Sequence, residues 1–181
     1  LDDSAPHEVM LTIDASTGHL LINGKADRTA MTAVLLPVAL ENLSNYRVDV
    51  EFSFEQPTNT ARWGSVMYRT SPAANTPAHE PYYQFAIRQA ATANNGTEFA
   101  FRKAGAWSVQ GTKPFTEAIS AAKTYTASVV VHGNRVRQYL DGALQHDTML
   151  SADLAKGGIG MQTAGLIMRV KSIKVTEQIT P

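Results

Sequence analysis

The chain has 181 residues, and its sixteen basic side chains are balanced by sixteen acidic ones. That length suits one large domain with a substantial core over residues 1–181, and zero net charge gives no overall field to hold nucleic acid or an anionic membrane. Cysteine is absent, which excludes disulfides, thiolate zinc sites and cysteine nucleophiles, and the longest apolar run, Ala33 to Leu40, holds Pro37 and falls far short of the roughly 20 residues of a spanning helix.

Val9 to Ile13, the turn at Thr17-Gly18 and His19 to Ile22 predict two short strands, closed by Asn23-Gly24. Ala33 to Val38 reads as strand or buried loop. From Tyr46 the pattern sharpens: Tyr46, Val48, Val50, Phe52 and Phe54 take every second position, and Arg47, Asp49, Glu51, Ser53 and Glu55 take the others. Only a strand sorts such a sequence onto one dry and one wet face. Turn chemistry at Gln56-Pro57-Thr58-Asn59 ends it. Gly64 to Arg69 is the next strand, with Val66 and Tyr68 opposing Ser65, Met67 and Arg69.

Pro72, Pro77 and Pro81 make Thr70 to Pro81 a long, stiff excursion, the kind of loop that borders binding sites. Tyr82 to Arg88 resumes alternation, with Tyr83, Phe85 and Ile87 on one face and Tyr82, Gln84, Ala86 and Arg88 on the other. Asn94-Asn95-Gly96 turns the chain into Glu98 to Arg102, where Phe99 and Phe101 oppose Arg102, and Ala104-Gly105-Ala106 leads to Trp107. Helical character is confined to Pro114 to Lys123. Tyr125 to His132, a Gly133-Asn134 hairpin, Arg135 to Leu140 and an Asp141-Gly142 turn form a meander, and Gly157 to Met161 and Leu166 to Val175 supply closing strands. No helical period is long enough for a crossover, so a parallel α/β fold is excluded and two antiparallel sheets packed face to face are expected.

The order of these pieces, from Tyr46 to Phe54 through Tyr82-Tyr83-Gln84-Phe85, Gly133-Asn134 and Tyr139-Leu140-Asp141-Gly142 to Gly158-Ile159-Gly160 and Ile173-Lys174-Val175, resembles the concanavalin A-like lectin/glucanase superfamily. The nearest flavour is its laminin G-like and 3-keto-disaccharide hydrolase type of domain. The match covers roughly Leu43 to Glu177. It implies an all-β, antiparallel jelly-roll β-sandwich of two curved sheets, with sugars bound on the concave sheet or at the loop rim. Two departures stand out: Gln138 replaces an apolar inward residue, and the closing strand reads Val170-Lys171-Ser172-Ile173 in place of an aromatic followed by aspartate.

Glycan binding needs flat apolar surfaces for sugar C–H faces and planar polar groups for adjacent hydroxyls. Tyr82, Gln84 and Arg88 share one strand face, Arg69 and Arg102 are expected on strands beside it, and Trp63 and Trp107 fall near strand ends. Together these form a candidate ligand groove. The competing enzyme reading rests on Glu51 and Glu55, because family 16 glycoside hydrolases carry acids at alternate positions of one strand; here Ser53 takes the central position. Alternating acids are also what a solvated strand face shows. The five histidines lack zinc-ligand spacing and read as surface or turn residues. Calcium, bound at the sandwich rim in several members of the superfamily, has Asp141 and Asp147 as candidates. The expected role is non-catalytic recognition of a carbohydrate or glycosylated surface, by one module of a larger exported bacterial protein, extracellular or periplasmic, with neighbouring domains on the same polypeptide. Glycoside hydrolysis and a structural or protein-docking role are the alternatives.

Overall fold

The computed structural model describes residues 11–24, 31–55, 63–71, 80–88, 96–114, 123–150 and 154–178. Alternation builds it outward from β4 (Tyr46–Glu55), whose Tyr46, Val48, Val50, Phe52 and Phe54 are fully buried while Arg47 and Glu51 stay exposed. On one side of β4 runs β13 (Leu166–Glu177), followed by β2 (Leu20–Gly24) and β1 (Leu11–Ile13); on the other lie β9 (Tyr125–His132), β10 (Arg135–Leu140) and β11 (Ala143–Met149). These seven strands are sheet A. Sheet B has six, in the order β3 (Thr32–Leu35), β12 (Gly158–Ala164), β5 (Trp63–Thr70), β6 (Tyr82–Arg88), β7 (Thr97–Lys103) and β8 (Ala106–Lys113).

Every described pairing is antiparallel, and the expected jelly-roll sandwich is the fold observed. Ala33 to Val38, expected as strand or buried loop, supplies most of β3 and the coil after it, and a 3-10 helix, Val38–Asn42, follows. The helical character expected within Pro114 to Lys123 falls on 115–122, outside the described residues, as do the expected turns at 56–59 and 94–95. No helix among the described residues is long and apolar enough to cross a membrane.

The core lies between the sheets. Val66, Tyr68, Tyr83, Phe85, Ile87, Phe99, Ile159 and Met161 of sheet B meet the inward residues of β4 and β9, each large side chain contributing about 1.5–3 kcal/mol on full burial. Tyr83 stacks between Tyr68 and Phe99, with ring centroids 5.9 and 5.7 Å away. Gln138 sits in this apolar layer for a reason: its fully buried amide donates to the Tyr68 hydroxyl at 2.8 Å and so ties the two sheets together.

Arg69 departs from its expected place. Strict alternation puts it on the outward face with Ser65 and Met67, but a bulge shifts the β5–β12 register so that Gly158 pairs with Thr70 and Ile159 with Tyr68. Arg69 is left unopposed, with φ at 54°, and it is 1% exposed. Its guanidinium donates to the carbonyls of Leu154 at 2.7 Å, Ser44 at 2.8 Å and Gly133 at 3.0 Å. Gly157 makes room, since a Cβ there would stand 2.5 Å from the Arg69 carbonyl carbon. Three loops are thereby held at one end of the sandwich by one side chain, and Arg69 belongs to the framework rather than to a ligand groove.

Replacing Arg69 with Met should strand three carbonyls and destabilise the domain by about 3 kcal/mol or more. Urea unfolding measures this directly, and Arg69→Lys, with fewer donors on a less rigid head, should recover only part of the loss.

Candidate functional site

The outward face of sheet B is dry. Ser65, Met67, Tyr82, Gln84, Ala86 and Ala100 are each no more than 2% exposed, although their partners across the strands place them on the side away from the core. The register explains who meets whom. Tyr82 pairs with Arg102, which pairs with Trp107; Gln84 pairs with Ala100, which pairs with Val109; Arg88 pairs with Trp63. Tyr82, Gln84, Arg88, Arg102 and Trp107, expected to share one face, are thus brought together, joined by Trp63.

Trp107 is the centre of this face. It lies edge-on to Trp63 at 6.0 Å and to Tyr82 at 5.9 Å, with the Arg102 guanidinium 4.7 Å from its ring centroid. Arg102 Nε donates to Glu80 Oε1 at 2.6 Å, and the other Glu80 oxygen accepts the Gly105 N–H at 2.6 Å. Gly105 belongs to the β7–β8 turn, where Ala104 and Gly105 both have positive φ, at 49° and 77°, the arrangement of a two-residue type I′ hairpin. One carboxylate therefore locks both the arginine under the indole and the turn that delivers it. Burial pushes the Tyr82 phenol up to about 12, so it stays protonated, and it donates to Gln162 Oε1 at 3.1 Å.

Beside the indoles is a pocket of about 110 Å³ lined by Trp63, Gln84, Arg88, Glu98, Trp107 and Val109, with Ala100 also on its wall. Trp107 and Val109 are its exposed members, at 37% and 49%. Arg88 is closed off by Glu98, at 2.9 Å from Nη2 and 3.0 Å from Nε. The Gln84 carbonyl oxygen and the Ser65 hydroxyl are buried without hydrogen-bond partners among the described residues. A buried acceptor with no donor is costly, about 1–3 kcal/mol, and a ligand hydroxyl that reaches it recovers that energy.

The other candidates lie elsewhere. Glu51 and Glu55 are on the outer face of sheet A, where Glu51 accepts from Ser172 Oγ at 2.8 Å and Glu55 is held by Arg169, which also contacts Asp14. Asp141 caps the start of β9 by accepting the Thr126 N–H at 2.7 Å, and Asp147 is gripped by Arg135 and Arg137. No group of three or more metal-ligating side chains occurs among the described residues. His146 is not a surface residue as expected: at 9% exposure it points inward from β11, its ring edge-on to Phe85 at 6.2 Å, while neighbouring Asp147 points out.

A sequence profile for the 3-keto-alpha-glucoside-1,2-lyase-like domain matches residues 21–176. The chain belongs to that family. Among curated proteins, none matches this lyase-like domain by sequence. Its fold is similar to that of the carbohydrate binding module CBM66 from Bacillus subtilis, at 15% identity and a TM-score of 0.67, over 88% of this chain and 86% of that one. A Bacillus licheniformis beta-glucanase aligns at 14% identity and a TM-score of 0.59, over 93% and 83%. The galectin LEC-6 from Caenorhabditis elegans aligns at 16% and 0.55, over 83% and 93%.

Reasoning from the sequence missed Glu80, Glu98 and Gln162 of the lyase-like domain's outward face. Glu98 was within reach, since it alternates with Ala100 and Arg102 along β7. Glu80 precedes Pro81 in a proline-rich stretch with no periodicity to orient it.

Glu98 is 4% exposed, so Arg88→Met should destabilise by about 2 kcal/mol, and adding Glu98→Gln should restore most of the loss in a double-mutant cycle read by urea unfolding. His146 titrates below its ordinary value, first because of burial and then because of Lys113, with a hydrogen bond to the Thr97 backbone acting the other way. The unfolded histidine, near pH 6.5, then takes up a proton first as pH falls. Stability is complete above that pH and declines as pH drops through it, and His146→Phe should flatten this part of the profile.

Proposed function

We propose that this domain is a non-catalytic recognition module for carbohydrate, and that a neutral sugar unit is seated on the outward face of sheet B against Trp107. The observation that carries the reading is the juxtaposition of a half-exposed indole with a buried, unpartnered Gln84 carbonyl oxygen in one small pocket. The indole offers an apolar platform for sugar C–H groups, and the amide offers an acceptor for a hydroxyl. Neutrality follows from pairing: Arg88 is matched by Glu98 and Arg102 by Glu80. Arg102 is then a positioning residue that holds the indole, and Arg88 shapes the wall. A carbohydrate binding module and a galectin among the similar folds support the same class of ligand.

The family's description as lyase-like keeps catalysis in view. Hydrolysis through Glu51 and Glu55 draws little support from their surroundings, because Glu55 is neutralised by Arg169 and both lie on the opposite sheet from the aromatic pocket.

A glycan array with and without calcium tests the proposal, followed by calorimetry on any sugar class that binds. Trp107→Ala should weaken binding about tenfold or more, equivalent to about 1.4 kcal/mol, with unfolding little changed because the side chain is partly exposed. Glu51→Gln and Glu55→Gln should leave binding intact. A blank array, or sugar release that disappears in either glutamine variant, overturns the reading.

A further inference from the structure

A second cavity lies where the open edges of the two sheets meet. The edge strands β8 and β11 border a cleft of about 390 Å³, lined on one side by Gln110, Gly111 and Lys113 and on the other by Leu144, Gln145 and His146. It begins at Gln110, just beyond Val109 along β8, and shares no lining residue with the aromatic pocket.

The side-chain hydrogen bonds favour one tautomer of the histidine. Thr97 Oγ1 donates its one proton to Gln145 Oε1 at 3.1 Å, so towards His146 Nε2, 3.3 Å away, it is an acceptor. His146 therefore carries its hydrogen on Nε2, and Nδ1 presents a bare lone pair. The side-chain bond to the ring is made at Nε2, on the Thr97 side, where the Thr97 backbone also bonds the residue. Nδ1 faces Gly111, where a Cβ would stand 3.2 Å from it. The missing side chain leaves the lone pair open to the cleft, on a residue that is itself 9% exposed.

The remaining groups narrow the chemistry. Lys113 donates to the Leu144 carbonyl at 3.1 Å, strapping β8 to β11, and Asp147 is committed to Arg135 and Arg137. No carboxylate is left over for a cation, and the Lys113 charge disfavours protonation of His146, keeping the imidazole neutral. A metal would need further ligands, and no cluster supplies them among the described residues. Gln145 spends its amide on Thr97 and on the Ala143 carbonyl. Gln110 is exposed, and its amide can both donate and accept. Leu144, at 45% exposure, adds an apolar flank. A buried neutral imidazole nitrogen wants a hydroxyl donor, an amide beside it suits a neighbouring hydroxyl, and an exposed leucine suits C–H groups.

We propose that the cleft between β8 and β11 is a second binding site, for a neutral polyhydroxylated ring such as a single sugar unit, with His146 Nδ1 accepting from one hydroxyl, Gln110 pairing with the next and Leu144 covering the C–H face. The site is independent of the aromatic pocket, and either can exist without the other.

Nitrogen-15 NMR of the histidine-labelled domain tests the first step: the two-bond coupling pattern should show Nε2 protonated and Nδ1 bare. A proton on Nδ1 overturns the proposal. Titration with a panel of methyl pyranosides and myo-inositol at millimolar concentrations should then give saturable shifts at the Gly111, Gln145 and His146 amides and at Nδ1. Shifts at the Trp63 and Trp107 indoles report the other face separately. His146→Phe keeps a ring against Phe85 but removes the acceptor, and affinity at the cleft should fall about tenfold, as for one lost hydrogen bond near 1.4 kcal/mol. Gly111→Val, which fills the approach to Nδ1, should abolish cleft binding; if it fails to fold, the phenylalanine variant decides alone. No saturable cleft shift with any panel member, or cleft binding unchanged in the phenylalanine variant, refutes the site.

Discussion

Along its central strands β12, β5, β6 and β7, sheet B is buried on both faces, and the rest of the molecule follows from that constraint. Its inward face is ordinary core. Its outward face is equally dry yet carries Ser65, Gln84, Glu98 and Gln162. Polar groups removed from water must find partners or remain at a cost. Most find them: Glu98 takes Arg88, Gln162 takes the Tyr82 hydroxyl, and Glu80 takes Arg102 and the Gly105 N–H. Gln84 Oε1 and Ser65 Oγ do not. Functional chemistry concentrates where the accounts fail to close, because the same desolvation that makes an unpaired acceptor expensive makes its satisfaction by a ligand specific.

The arginines on this face are better understood as structure than as ligand grips. Each is matched by a carboxylate of low exposure, and breaking one such pair strands the other charge. Loss of binding on removing Arg88 or Arg102 would therefore mix lost contact with lost architecture. The indole of Trp107 is different. It is held from below by Arg102 and from the side by Tyr82 and Trp63, so its orientation is set before any ligand arrives. Such pre-organisation reduces the ordering cost of association.

The regular parts of this architecture were legible because period-two alternation leaves no choice of face. Tyr46 to Phe54 and Tyr82 to Arg88 sorted as their spacing required, and the set Tyr82, Gln84, Arg88 came out together. Arg69 broke the rule because a bulge opposite Gly158 inserted one unpaired residue, and bulges leave no mark in alternation. In the sequence Ala104-Gly105-Ala106 only leads to Trp107, and β8 is placed by its pairing with β7, across a turn that alternation does not mark. His146 looked like a surface residue because β11 alternates polar with polar, and only the closeness of the opposite sheet's edge makes one of its faces dry.

The two outward faces of the sandwich contrast in a way that bears on where recognition energy can come from. Sheet A's outer face carries Arg47 with Asp49, Arg135 with Asp147 and Arg169 with Asp14 and Glu55, all at least partly open to water. Exposed pairs of this kind contribute about 0–1 kcal/mol each and exchange readily with solvent. Glu51 and Glu55 belong to that hydrated lattice, Glu51 accepting from Ser172 and Glu55 held by Arg169. Sheet B's outward face is the opposite case: Arg88 and Arg102 are matched by carboxylates, the central strands are buried, and among the described residues the Gln84 acceptor stands unpaired beside apolar surface. Selective binding of a neutral, hydroxyl-rich molecule follows more naturally from that arrangement than bond cleavage does, since it asks only that one donor be delivered to a lone pair the fold has left waiting.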